Sequence, residues 1–167
     1  MQKGSDPGWL HFATNSAIVA SFMNQHEIDG CLYAFLQTAY HFEEQEKRLF
    51  SLSWQEIYLL QLLRRRGSWQ ISRLGVRLEL KKYQISRLVS RLEAMHMVRR
   101  TAHAQDRRNV HVEILEAGRS RLMEIEAYHR RLFETGERLG GPGTQTLAEL
   151  HNAILQFATM VGINLEE

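Results

Sequence analysis

Residues 81–93 read KKYQISRLVSRLE. Ile85, Leu88, Val89 and Leu92 follow the i, i+3, i+4, i+7 spacing of one buried helix face. The other face holds Lys82, Tyr83, Ser86, Arg87, Ser90 and Arg91, basic side chains mixed with short hydroxyls. Such a face suits a DNA major groove, which admits an α-helix. The start of a helix also turns unpaired N–H groups and a positive dipole toward phosphate, and Lys81, Lys82 and Tyr83 stand there. Tyr83, Gln84, Ser86 and Arg87 are the candidates for base edges, because Gln can pair adenine and Arg can take guanine through two bonds. Ser90 and Arg91 sit deeper and are assigned to phosphates. The plain alternative is a solvated helix face.

Other chemistry is sparse. There is no G-x-S-x-G, no dinucleotide fingerprint, and no Lys-Ser/Thr after the glycines of GERLGGPG, so no enzymatic activity and no cofactor are expected. Eight histidines and one cysteine occur without C-x-x-C, H-x-x-x-H or H-E-x-x-H spacing, and no metal site is assigned. Cys31 alone cannot form an intramolecular disulfide, which fits a reducing cytoplasm. No run of 18 apolar residues spans a membrane, and the N-terminus lacks the apolar core of a signal peptide. A cytoplasmic protein without a membrane partner is expected.

The net charge of +2 hides an uneven distribution. Residues 64–108 hold thirteen Lys or Arg and three acids, hence +10, which leaves −8 for the rest. This separation argues for an anionic partner at one end of the molecule. Arg64, Arg65 and Arg66 read equally as distant phosphate contacts or as solubilising charge.

Helices must position the basic face, and helical periods dominate the chain. Residues 27–49 read as a helix with Leu32, Phe35, Leu36, Ala39 and Phe42 in one stripe and Asp29 as N-cap. Ser53 and Glu56 form an S-x-x-E capping box before an apolar run that Gly67 stops. A short helix over about 70–78, with Leu74 and Leu78 inward and Gly75 allowing close approach, turns at Glu79 and Leu80 into the helix of 81–95. That is a helix-turn-helix. The period then changes to alternation at Val98 and at Val110, Val112 and Ile114, around the polar HAQDRR, which predicts a β-hairpin. A long helix over 116–139 (Leu122, Ile125, Leu132, Leu139) and a last helix capped by Thr146 and Glu149 (Leu147, Leu150, Ile154, Phe157, Val161) follow. The fold class is mainly α with a small β-hairpin wing: a winged helix-turn-helix lobe plus a region of apolar terminal helices.

LELKKYQISRLVSRLEAMHMVRR followed by DRRNVHVEILEAG resembles the MarR family of bacterial transcription regulators. The hairpin is similar to that family's D-x-R-x-x-x-V-x-L-T-x-x-G pattern at Asp106, Arg108, Val112, Ile114 and Gly118, with Leu115 in place of Thr. His96 replaces the usual Gly after the recognition helix, and His tolerates positive φ better than most residues. The resemblance covers about residues 30–165, and its specific part is 68–118. It implies a homodimer reading a pseudo-palindromic double-stranded operator. It also implies residues 29–50 and 116–167 as dimerisation helices, 51–115 as the DNA-binding lobe, and 1–28 as an extension, partly disordered or packed on the dimer. Arg107 and Arg108 stand at the wing; an Asp106–Arg108 pair would brace it and leave Arg107 for the minor groove. An effector pocket would draw on Tyr40, His41, Trp54 and Tyr58, aromatics that can equally be core.

The reading is a dimeric repressor released by a small molecule. Two alternatives stay open. One is a redox sensor using Cys31, near Tyr33 and Tyr40, against the reading of a small core residue. The other is a winged-helix protein-interaction module that binds no DNA.

Overall fold

The computed structural model describes residues 25–103, 106–138 and 144–163. Its elements are α1 (Gln25–Phe50), α2 (Trp54–Arg66), β1 (Ser68–Gln70), α3 (Ile71–Arg77), α4 (Lys82–Ala94), β2 (Val98–His103), β3 (Asp106–Ile114), α5 (Glu116–Arg138) and α6 (Thr144–Met160). The chain divides into two units, Met1–Ser51 and Leu52–Glu167.

In the first unit α1 begins by Gln25, so Asp29 lies inside the helix and is not its N-cap. The preceding QHEI contains no proline or glycine to stop the helix earlier. Leu32, Phe35, Leu36 and Phe42 are exposed on the single chain. The apolar cluster expected in residues 9–23 lies outside the described residues.

The second unit is built on the capping box at the start of α2. The Ser53 hydroxyl accepts from the Glu56 amide, and the Glu56 carboxylate accepts from the Ser53 amide at 2.8 Å. Gly67 ends α2 at φ +79°, its amide donating to the Leu63 carbonyl at 2.7 Å. Leu52, Leu59, Leu60 and Leu63 meet Leu74 of α3, Val89 and Leu92 of α4, Val98 and Val112 of the sheet, and Leu122 and Ile125 of α5 in one fully buried core. The turn between α3 and α4 carries Glu79 at φ +53°, and His96 stands at φ +56° after α4, as its substitution for Gly requires. At Gly75 a Cβ would lie 3.3 Å from both Ile85 Cγ2 and the Leu80 carbonyl, the close approach expected of that glycine.

The hairpin is present and longer than the alternation suggested. β2 and β3 pair antiparallel from Val98↔Ile114 to His103↔Asp106, with a bulge between Ala102 and His103. The three residues SWQ add an edge strand, giving the order β1-β3-β2 with Trp69 opposite Val112. Three residues carry no readable period, so β1 was invisible to patterning. α5 buries Leu122 and Ile125, whereas Leu132 is exposed, and Leu139 lies outside the described residues. α6 starts at Thr144, so Thr146 is inside its first turn and does not cap it.

Gly118 locks α5 to the hairpin. A Cβ there would sit 2.5 Å from the Met97 carbonyl oxygen and 2.9 Å from Ile114 Cγ1. Backbone cannot yield as a flexible side chain can, so Gly118→Ala should destabilise the unit by about 1–3 kcal/mol. Urea denaturation measures this; an unchanged midpoint would refute the close packing of α5.

Candidate nucleic-acid interface

Burial of Ile85, Val89 and Leu92 fixes the rotation of α4. Leu88 is only half-buried. Lys81, Lys82, Tyr83, Gln84, Ser86, Arg87, Ser90 and Arg91 are all exposed, so the predicted face is one continuous surface. Tyr83 keeps 68% of its surface in water although it is a large aromatic.

At the start of α4, Lys81 takes the N-cap position with extended backbone. A lysine side chain cannot accept a hydrogen bond. The cap is therefore one-sided: the Lys81 amide donates to Gln84 Oε1 at 2.9 Å. No side chain accepts from the first-turn amides among the described residues, which leaves the positive end of the helix open to an anion. The bond also limits Gln84. A bidentate adenine contact needs both the amide oxygen and the amide nitrogen. Because Oε1 holds the Lys81 amide, an adenine contact has to share that oxygen through its second lone pair.

Further along the helix the face is braced from within the protein. Arg91 Nη1 donates to both Glu56 oxygens at 3.0 Å. The Glu56 side chain is 3% exposed and that of Arg91 53%. Ser90 Oγ accepts from Arg100 Nη2 at 2.8 Å, and the same nitrogen donates to the Ser86 carbonyl at 2.9 Å. Arg100 also pairs with Glu93, whose carboxylate takes the Arg100 amide at 3.0 Å. Ser90 and Arg91 thus stand on the exposed face but hold protein partners. Neither Glu56 as an anchor nor Arg100 as a strap was read from the sequence. Glu56 was seen only as a capping residue, and nothing in the spacing links residue 56 to 91, or 100 to 86 and 90.

Arg107 and Arg108 belong to β3, beside the hairpin turn. Their side chains, and with them the Asp106–Arg108 pair, lie outside the described residues. Arg64 pairs with Glu126 of α5. The hydrogen bond from Arg64 is the main cause that holds the Glu126 carboxyl below its ordinary value, and it raises Arg64 in turn. Arg66 lies over the Trp69 ring at 5.1 Å.

The four pocket candidates fall in different units. Trp54 and Tyr58 line a cleft of about 1280 Å³ in the second unit, together with Trp69, Arg65, Arg73, Arg77, His151 and Ile163, among others. Tyr40 and His41 belong to α1 of the first unit and make an edge-on ring contact, 5.8 Å between centroids. Cys31 is exposed, well inside α1. Among the described residues no group of three or more His, Cys, Asp or Glu could hold a metal, and no helix is long and apolar enough to cross a membrane.

A helix-turn-helix backed by a three-stranded wing sheet, with the second helix exposed on its basic side, defines a winged helix-turn-helix. Residues 52–110 match the MarR family, which bears out the resemblance over that lobe. Solved structures extend the likeness of fold to most of the chain. AbsC, a MarR family transcriptional regulator from Streptomyces coelicolor, is 20% identical with TM-score 0.63, over 84% of this chain and 97% of that one. Streptococcus pneumoniae FabT, solved in complex with DNA, is 16% identical with TM-score 0.63, over 83% and 97%. A MepR-like protein complexed with pseudoligands is 18% identical with TM-score 0.57, over 82% and 95%. A search of curated proteins gave no match.

The Glu56–Arg91 pair should matter to stability more than the neighbouring basic residues. Arg91→Ala leaves a buried carboxylate short of its charged donor and should cost about 1–3 kcal/mol. Arg87→Ala removes an exposed side chain and should stay within about 0.5 kcal/mol. Chemical denaturation of both variants checks this, and equal midpoints would remove the anchoring role of Glu56.

Proposed function

We propose that the protein is a dimeric transcription regulator that binds a pseudo-palindromic double-stranded operator and is a repressor released by a small molecule. The observation that carries the DNA reading is the α4 face: basic and hydroxyl side chains exposed opposite a buried apolar face, with the uncapped helix start beside Lys81 and Lys82. Tyr83, Gln84, Ser86 and Arg87 meet bases in this reading. Lys81 and Lys82 meet phosphates, Arg107 enters the minor groove, and Arg108 braces the wing. Ser90 and Arg91 hold the recognition helix in place, and what they offer to phosphate is their remaining donor capacity. The solved DNA complex of FabT, a protein of similar fold, supports the same mode. The protein would act in the cytoplasm, where its operator lies.

Dimerisation is supported by the apolar side chains left in water on one chain: Leu32, Phe35, Leu36 and Phe42 on α1, Leu132 on α5, and Leu150 and Phe157 on α6. Isolated exposed apolar residues are ordinary, whereas four on one helix and more on two others ask for a cover. A second copy supplies that cover and gives two recognition helices for two half-sites. Release by a small molecule is supported by the cleft beside Trp54 and Tyr58, which adjoins the helix that anchors Arg91.

Sedimentation at micromolar concentration should give twice the chain mass of 19.5 kDa. A monomer at that concentration would sink the dimer and the palindrome together.

DNA reading is tested by fluorescence anisotropy on a duplex selected from genomic fragments and on its scrambled counterpart, across a salt series. Arg87→Ala should cost about 1–3 kcal/mol on the selected duplex and relax one base pair per half-site. Lys82→Ala should weaken both duplexes alike and flatten the salt slope by about one per protomer. Arg107→Ala should weaken sites with A·T-rich flanks most. Equal loss on both duplexes for Arg87→Ala would refute its base contact, and no effect from any of the three would leave α4 a merely solvated face.

A further inference from the structure

The cleft of the second unit has a chemistry that the recognition face does not explain. α2 contributes Trp54 and Tyr58, one turn apart, and Arg65 two turns further on; β1 contributes Trp69; α3 contributes Arg73 and Arg77, again one turn apart. One acid, Glu79, is in the lining. Three guanidinium groups against one carboxylate leave two positive charges without an internal counterpart. Four other arginines of this unit are each paired with a carboxylate from another element or a distant turn: Arg64 with Glu126, Arg91 with Glu56, Arg99 with Glu113 and Arg100 with Glu93. Among the described residues, Arg65, Arg73 and Arg77 form no ion pair or side-chain hydrogen bond.

Guanidinium groups gathered around a concavity and left unpaired are suited to an oxyanion, which a planar fork binds through two parallel bonds. Two uncompensated charges match a dianion better than a monoanion. The indoles and the phenol supply flat apolar surface on the same cleft, and Arg66 above the Trp69 ring steadies that indole. We infer that this cleft binds a planar aromatic molecule carrying a phosphate monoester, with Arg73 and Arg77 on the phosphate and Trp54 and Tyr58 against the ring. Binding itself is independent of the regulatory reading. Only its consequence, loss of DNA affinity when the cleft is filled, rests on that reading.

Isothermal titration calorimetry of the full chain with 1-naphthyl phosphate, 1-naphthoate, 1-naphthol and inorganic phosphate tests the inference without DNA. 1-Naphthyl phosphate should bind saturably and at least about tenfold more tightly than each of the other three, the scale of one charged hydrogen bond. Arg73→Gln and Arg77→Gln should each reduce its affinity about tenfold or more while the melting temperature stays unchanged, since neither side chain holds a partner among the described residues. Equal affinity for 1-naphthoate or 1-naphthol, absence of saturation, or undiminished binding by both variants would overturn the site. A separate anisotropy titration asks whether saturating 1-naphthyl phosphate weakens duplex binding. Binding of the compound without that effect keeps the site and rejects the regulatory reading. Variants that lose duplex affinity but keep the compound would show these arginines to be DNA phosphate contacts and reject the site.

Discussion

One carboxylate, buried at the start of α2, sets the arrangement of the lobe. Glu56 accepts from the amide and hydroxyl of Ser53 and from Arg91 of the recognition helix. The first bond closes the capping box that begins α2. The Arg91 bonds join that helix to α4. A buried carboxylate is costly unless its oxygens are satisfied, and here the satisfying groups come from two elements far apart in sequence. The Coulombic requirement of one side chain thereby limits how far α4 can rotate or slide on α2.

Arg100 of the wing adds to the bracing by bonding to the carboxylate of Glu93, the carbonyl of Ser86 and the hydroxyl of Ser90. The recognition helix is therefore held by two arginines, one on itself and one on the wing. Between Lys81 and Arg87 only the Ser86 carbonyl is held by that bracing, and the exposed side chains there take no part in it. Rigid support of a short exposed segment is the condition under which side-chain contacts with a rigid duplex become specific, because little ordering is left to do on association. The same accounting separates the arginines of this lobe into those consumed by structure and those left with free charge. Only the second group is available to an anion, whether polymer or small molecule.

Legibility in the sequence followed the length and regularity of each pattern. The capping box at Ser53 and Glu56, the stop at Gly67, the apolar face of α4 and the alternation of Val110, Val112 and Ile114 could all be read, because each is a local rule with a fixed spacing. His96 could be read as a turn because its backbone cost is local as well. β1 was missed because three residues make no period. The start of α1 was misplaced because an interior Asp29 and a capping Asp29 look alike when nothing upstream breaks the helix. The exposure of Leu132 was also outside the pattern, since periodicity assigns a face but not whether the single chain has anything to cover it.

The sequence by itself determined the element types, the winged helix-turn-helix order and the identity of the basic face, because helical and strand periods and capping chemistry act over a few neighbouring residues. Tertiary structure alone decided which charges on that face are free. Arg87 and Arg91 sit one turn apart on one helix and look equivalent in the sequence, but Arg91 is tied to a carboxylate 35 residues away and Arg87 has no such bond among the described residues. The cleft with its three arginines, unpaired among the described residues, was likewise settled only when α2, β1 and α3 came together. Electrostatic pairing depends on distance in space and on burial, and neither is carried by the spacing of residues along the chain.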